Sequence, residues 1–367
     1  MARSRLAFEW RSPLAGLMTQ STMTAIAIIA PGGPDMLQPV RLPMPRPERH
    51  EVLIRVAAAG LNGADLGQRR GNYAPPADAS PLPGLEVGGE IVECGADVAG
   101  WSVGDQVVAL TNGGGYAEYV AIPTGQVLPL PRGWTMVSGA ALPETFFTIE
   151  QTLIRRAGLA RGMVVLIHGA AGGIGGAAIQ LSHLNGAIPV AVVSSPEKAA
   201  YAMRLGAGHV IDRSREDFVA RTLELTGGRG ADRIVDVIGG DVLQANINAS
   251  ARGGHIVLVS TQAGAKAEIN AAALMMKQLT LSGSTLRPQS PATKAAIAAR
   301  LRDEVWPALN EGRIGPPRIR LLPLERAAAA HVALERRDNY GKLLLVTAWG
   351  ESLLTTPLNG DNPIEFG

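Results

Sequence analysis

Between Met163 and Leu181 the chain reads MVVLIHGAAGGIGGAAIQL: an apolar run, a glycine-rich turn and the start of a helical stretch in immediate succession. An unbroken apolar strand of this kind is what a parallel sheet buries on both faces. The turn spaces Ala170, Gly172 and Gly175 as A-x-G-x-x-G, a dinucleotide fingerprint with alanine in place of the usual first glycine. Each position has its own task. Ala170 sits at the tight turn, Gly172 lets the main chain approach a pyrophosphate, and Gly175 lets the helix pack against the strand. The N–H groups of Ala171, Gly172, Gly173 and Ile174 then face the anion.

A second apolar strand, 187–193, ends in Ser194, Ser195, Pro196, Glu197 and Lys198. An NAD site usually closes this strand with Asp or Glu, which holds the ribose 2′-hydroxyl. Here the acid is missing, and Lys198 and, after the third strand, Arg213 supply positive charge instead. The residues therefore favour a 2′-phosphate and NADP(H) as cofactor, the other reading being two solvated surface charges.

The chain has 367 residues, more than one hydrophobic core normally organises, which implies two domains. Its 34 basic and 32 acidic residues nearly cancel, so neither a nucleic acid nor an anionic membrane surface is indicated as a partner. No apolar stretch approaches the length of a membrane span. The single cysteine, Cys94, excludes an intrachain disulfide and a thiolate zinc cluster, and suits a reducing cytoplasm.

Periodicity divides the rest. Residues 24 to about 125 show short β-type runs such as 52–58 and 90–93 between Gly and Pro clusters. From about 149 to 286, strands expected at 163–168, 188–194, 209–212, 233–238, 255–260 and 279–284 alternate with helical stretches, giving a six-stranded doubly wound sheet. A helical run from Ser290 precedes strand-like segments at 319–324 and 341–347, which most simply rejoin the first region. The resulting division is an N-terminal extension (1–22), a catalytic domain in two parts (23–148 and 287–349), an inserted nucleotide-binding domain (149–286) and a polar C-terminal tail (350–367). The extension lacks the continuous apolar core of a secretory signal.

Several blocks, in this order, resemble the zinc-independent quinone oxidoreductases of the medium-chain dehydrogenase/reductase superfamily: APGGPD (30–35), AAGLNGADLGQRRGNY (58–73), GLEVGGEI (84–91), GDQVVAL (104–110), GGGYAEY (113–119), ALPETFFT (141–148), the glycine turn, and LTLSGSTLRP (279–288). The likeness spans nearly everything from Met23 to Trp349. It implies an α/β fold in which a Rossmann-type doubly wound parallel sheet is inserted in a GroES-like, mainly β catalytic domain, and an NADPH-dependent activity. In similar zinc alcohol dehydrogenases a cysteine ligand stands where Asn62 is, and a histidine ligand where Leu85 precedes Glu86. Neither Asn62 nor Leu85 can serve as the ligand there, so the resemblance implies hydride transfer without metal.

Hydride transfer to a carbonyl builds negative charge on oxygen, which without zinc must be met by hydrogen-bond or proton donors. Quinones need the least help, because reduction makes them aromatic. The candidate donors are Asn62 and Tyr73; the tyrosine at this position points into the substrate cleft of related quinone and enoyl-thioester reductases. Both Asn62 and Asp65 are alternatively turn-fixing Asx residues, and Tyr73 a packing residue. The resemblance further assigns Thr148 to the nicotinamide side of the cofactor site, Gly239 and Ser260 to the sheet's carboxyl edge along which the cofactor runs, and the STLR segment (284–287), with Ser284 and Leu286, to the approach to the nicotinamide; Asn62 is also implied as cofactor-binding. Arg213 replaces a tyrosine common in relatives. The expected activity is NADPH-dependent reduction of a quinone or related conjugated carbonyl; the alternatives are an enal or enoyl-thioester reductase and a non-catalytic NADPH-binding protein. The apolar strand 278–284 would end the nucleotide sheet and pair with a second copy, giving a homodimer.

Overall fold

The computed structural model describes residues 21–336 and 339–354 and the backbone of 365–366. The expectation for an N-terminal extension therefore lies almost wholly outside the described residues.

Strands β1 (Thr22–Ile28) and β2 (Leu37–Pro43) form an antiparallel pair. The larger β region is built on β3 (Glu51–Gly60), which pairs antiparallel with β4 (Glu86–Cys94) on one side. The sheet continues through β5 (Gln106–Leu110) to β7 (Val127–Pro129), while β6 (Tyr119–Pro123) pairs with the first half of β3. β4 is longer than the run 90–93 read from sequence, because Gly88 and Gly89 lie within it. A β-carbon on Gly88 would stand 2.0 Å from the Met136 carbonyl oxygen, and one on Gly89 2.1 Å from that of Arg55. Here glycine permits close approach of backbone in mid-strand.

The chain then enters a six-stranded parallel sheet: β8 (Val164–Ile167), β9 (Ile188–Val193), β10 (His209–Asp212), β11 (Ala231–Asp236), β12 (Ser250–Leu258) and β13 (Thr280–Gly283). The spatial order is β10-β9-β8-β11-β12-β13, so the winding reverses between β8 and β11. In such sheets ligands bind at the strands' carboxyl ends beside that reversal. β11 ends two residues before the expected 238, since the Asp236 carboxylate accepts from the N–H groups of Ile238 (2.7 Å) and Gly239 (2.9 Å) and turns the chain away. β12 begins five residues before the expected 255, Ser250 pairing with Ala231 across a register shift.

The last strands do rejoin the first region. β14 (Ile319–Pro323) runs parallel to β15 (Lys342–Val346), and β15 pairs antiparallel with Ala58–Gly60 of β3. The nucleotide sheet is thus inserted between two sequence-distant parts of one β sheet. Of the polar tail expected at 350–367, residues 355–364 and 367 lie outside the described residues; Thr347 caps a short helix, Ala348–Ser352, and β16 (Glu365–Phe366) adds to β14. A continuous apolar core joins the two halves, with Phe146, Phe147 and Leu128 packed in one cluster with Val165, Ile167 and Trp306. Within the described residues no helix is long and apolar enough to cross a membrane.

Candidate functional site

The glycine turn leaves β8 through Gly169, whose φ of +59° meets the left-handed demand of the turn. That demand falls one residue earlier than expected, which is why Ala170, fully buried, is tolerated. Gly172 is the N-cap of the helix Gly173–Leu184. A β-carbon on Gly172 would meet only the Gly169 carbonyl oxygen at 3.3 Å, whereas one on Gly175 would stand 2.4 Å from that oxygen and 2.5 Å from the Ala170 α-carbon. One glycine keeps space open in front of the helix, and the other lets the helix lie on the strand. The first N–H groups of a helix have no partner within it, so an open cradle here fits a pyrophosphate.

Ser194, Lys198 and Arg213 come together at the ends of β9 and β10. Ser195 caps the helix Pro196–Arg204 by accepting from the Lys198 N–H (3.3 Å), and Lys198 Nζ lies 3.4 Å from Ser194 Oγ. The Arg213 N–H donates to the Val193 carbonyl (3.0 Å), which fixes the main chain of this exposed residue at the end of the neighbouring strand. Gly239 (φ +66°), Ser260 and Ser284 follow β11, β12 and β13 along the same edge. Ser284 Oγ is buried without a hydrogen-bond partner among the described residues, as an oxygen awaiting a ligand would be. The Leu286 side chain instead packs into the core, leaving only its main chain for a ligand.

The facing wall comes from β3, β4, β15 and the helices Gly63–Arg69 and Pro143–Ile149. Asp65 fixes the turn at the helix start, of which Asn62 is the N-cap: its carboxylate accepts from the N–H groups of Asn62 (2.8 Å) and Gly84 (3.0 Å) and from the Tyr116 hydroxyl (3.3 Å). Burial nevertheless pushes its carboxyl up to about 6. Behind it, His331 bridges Tyr116 and Arg69 at 3.3 Å each, and burial pushes this histidine down to about 3, keeping it neutral. The Asn62 side chain is thereby free to turn inward. Its Nδ2 donates to Glu86 Oε1 (2.9 Å) and its Oδ1 accepts from Lys342 Nζ (2.9 Å), while Lys342 also pairs with Glu86. Both members of that ion pair are buried. Gly60 is required alongside, since its β-carbon would stand 2.1 Å from Glu86 Oε1.

Tyr73 is half-buried, with Cβ 3.0 Å from where a side chain on Gly67 would begin. Burial raises its phenol pKa, and so does the nearby negative charge of Glu144. The Glu86 Oε2 accepts from the Glu144 N–H (2.9 Å), and burial between Glu86 and Asp65 pushes the Glu144 carboxyl up to about 8. Arg287 spans the gap between halves by donating to Gln68 Oε1 (2.7 Å) and to the Asn112 carbonyl (2.8 Å). Thr148 lies on the same helix as Glu144, buried.

Sequence reasoning missed Lys342, Glu86 and Glu144. All three carried a legible signal, being charges inside apolar runs (KLLLV, GLEVGG, ALPETFF) with no alternating polar face to hold them in solvent. Arg287 closes the STLR segment (284–287) expected to approach the nicotinamide, but its role between Gln68 and Asn112 is not legible in sequence. Among the described residues no group of three or more His, Cys, Asp or Glu is arranged to hold a metal ion.

Two family models match: the alcohol dehydrogenase GroES-like domain over residues 48–132 and the zinc-binding dehydrogenase domain over 173–300. A quinone oxidoreductase of Pseudomonas aeruginosa is 31% identical over 88% of this chain and 98% of its own. That of Sus scrofa is 29% identical over 89% and 98%. The crystal structure of the Escherichia coli quinone oxidoreductase complexed with NADPH superposes with a TM-score of 0.75 at 27% identity, covering 89% of this chain and all of the other. A β region with a parallel sheet inserted between its two parts, a glycine turn into a helix N-terminus at the winding reversal and near-full-length likeness to these enzymes agree: the chain is an oxidoreductase belonging to the quinone oxidoreductase branch of the medium-chain dehydrogenase/reductase superfamily.

Proposed function

We propose that the protein is an NADPH-dependent, zinc-free reductase that passes hydride to a quinone or a related conjugated carbonyl, and that it works as a homodimer. The observation that carries this reading is the Asn62–Glu86–Lys342 cluster. Where zinc-dependent relatives place ligands, this chain puts an amide and leucine, and a buried ammonium is already paired with the neighbouring carboxylate. A donor set containing a cation repels a second cation, so the residues present do not fit zinc.

They do fit the dinucleotide. Gly172 keeps the cradle open, its own N–H being taken by the Gly169 carbonyl (2.9 Å); Ala171, Gly173 and Ile174 offer main-chain N–H groups to the pyrophosphate, and Lys198, Ser194 and Arg213 present positive charge and a hydroxyl for the 2′-phosphate. Gly239, Ser260, Ser284 and the Leu286 main chain line the path toward Thr148. When bound, the nicotinamide supplies the hydride. Asn62, with both ends of its amide engaged, acts chiefly as a rigid strut holding Lys342 and Glu86 in place. Tyr73 and Arg287 form the opposite wall, where a planar acceptor stacks and is oriented.

Steady-state oxidation of NADPH and of NADH against a panel of quinones, enals and an enoyl-CoA tests the proposal. Quinones with NADPH should give the highest kcat/KM, and activity should survive chelation. Preference for an enal or enoyl-CoA, preference for NADH, or loss of turnover with removal of stoichiometric zinc would each overturn the corresponding part.

A further inference from the structure

The Glu144 carboxyl is a side chain the fold holds in an unusual condition. It is half-buried, and among the described residues it has no hydrogen-bond partner, although its own N–H is tied to Glu86. Its position is constrained from two sides. Four residues on, one turn along the helix Pro143–Ile149 and on the same face, stands Thr148, which the family resemblance assigns to the nicotinamide side. Next to it in sequence, Thr145 Cγ2 lies 3.2 Å from where a β-carbon on Gly173 would be, so the helix start abuts the phosphate turn. The groups that bear on the carboxyl are Glu86 of β4, Asp65 of the helix Gly63–Arg69, Lys342 of β15 and Lys294 of the helix Pro291–Arg300. Tyr73 and Arg287, from the loops opposite, are both coupled to it.

Two negative neighbours and burial outweigh the two lysines, because each lysine has other obligations. Lys342 is paired with Glu86, and Lys294 donates to Asn112 Oδ1 and to the Arg287 carbonyl (2.7 Å). A carboxyl that has lost part of its water and faces two negative neighbours is cheaper neutral than charged. Its pKa, pushed up to about 8, makes it a carboxylic acid at neutral pH.

We propose that Glu144 is the general acid that protonates the reduced acceptor, with Tyr73 serving to orient it. This rests on the reaction assigned above. The hydride brings two electrons to the quinone and leaves one oxygen as a phenolate. The Glu144 O–H bond then breaks and the acceptor O–H bond forms, giving hydroquinone, oxidised cofactor and a Glu144 carboxylate, which recovers its proton from water after product leaves. The same acid would protonate the enolate of a conjugated carbonyl.

The experiment compares the wild-type chain with Glu144→Gln, which keeps shape and removes the proton, and with Tyr73→Phe. Infrared titration of the cofactor-free protein should show a protonated-carboxyl band that disappears as pH rises through about 8, and E144Q should lack it. Quinone turnover of the wild type should fall over the same range; E144Q should lose on the order of a hundredfold in kcat and that pH limb, at unchanged NADPH affinity by fluorescence titration. Tyr73→Phe should lose much less and keep the limb. Wild-type kcat and pH profile in E144Q, or a band unaffected by the substitution, overturns the role of Glu144 and leaves the NADPH–quinone reaction standing. Absence of turnover by the wild type on every acceptor overturns that reaction and the acid's role together. If E144Q does not fold, the wild-type band and pH limb decide, and a flat profile overturns the proposal.

Discussion

Two glycines three residues apart do opposite things, and substitution separates them. Valine at Gly172 meets only one oxygen at 3.3 Å and keeps an extended backbone, so G172V should fold with less than about 1 kcal/mol lost, yet bind NADPH at least tenfold more weakly. Valine at Gly175 collides with main chain at 2.4 Å, so G175V should cost about 1–3 kcal/mol or more in urea unfolding, before any question of binding. Equal effects of the two on stability would contradict these separate roles. Lys198→Ala should leave NADH affinity unchanged and weaken NADPH by about tenfold, the scale of one charge-assisted contact; an unaltered preference would remove Lys198 from the phosphate site. Of these residues the glycine spacing and Lys198 were legible in sequence, because each is defined by its neighbours along the chain. Glu144 was not, since its raised pKa comes from burial and then from Glu86 and Asp65, which lie 58 and 79 positions away.

At the scale of elements, β15 returns a charged residue to a strand that is otherwise apolar and ties it to β4. Lys342→Met would leave Glu86 buried with only neutral donors, at a cost of about 3–5 kcal/mol, and Glu86→Gln in the same chain should recover most of it. Denaturant midpoints of the single and double variants check this, and additive losses would mean the pair is not coupled. The same cluster sets a pH dependence. Glu144 is raised from 4.5 to about 8 and Asp65 from 3.8 to about 6, so the folded chain holds protons that the unfolded chain releases. Their contribution is complete below about 4 and is lost as pH rises through 6 and then 8. Thermal midpoints should therefore fall between about pH 4 and 8, and the part of that fall above pH 6 should vanish in E144Q. A midpoint that rises over this range would show the carboxyls to be ionised in the folded state.

For the whole molecule, β13 ends the parallel sheet with one edge unpaired among the described residues, and the neighbouring helix Ala271–Met276 exposes Met275 and Met276 to about two-thirds of their surface. An open edge flanked by exposed apolar side chains invites a second copy across a two-fold axis. Light scattering at micromolar concentration should give a dimer, and Leu281→Lys should shift it toward monomer; a monomeric wild-type chain would mean that edge stays open. The sequence by itself determined the order and number of the parallel strands, the glycine cradle and the return of the last strands to the first region, because each depends on periodicity or on turn chemistry within a few residues. It misplaced the ends of β4, β11 and β12, where a packed helix, the Asp236 carboxylate and a register shift decide where pairing starts or stops. Only the tertiary structure could decide the chemistry of the cleft. Asn62, Glu86, Glu144 and Lys342 are spread over 281 positions, and what each can do depends on burial and on which charges the others leave unneutralised.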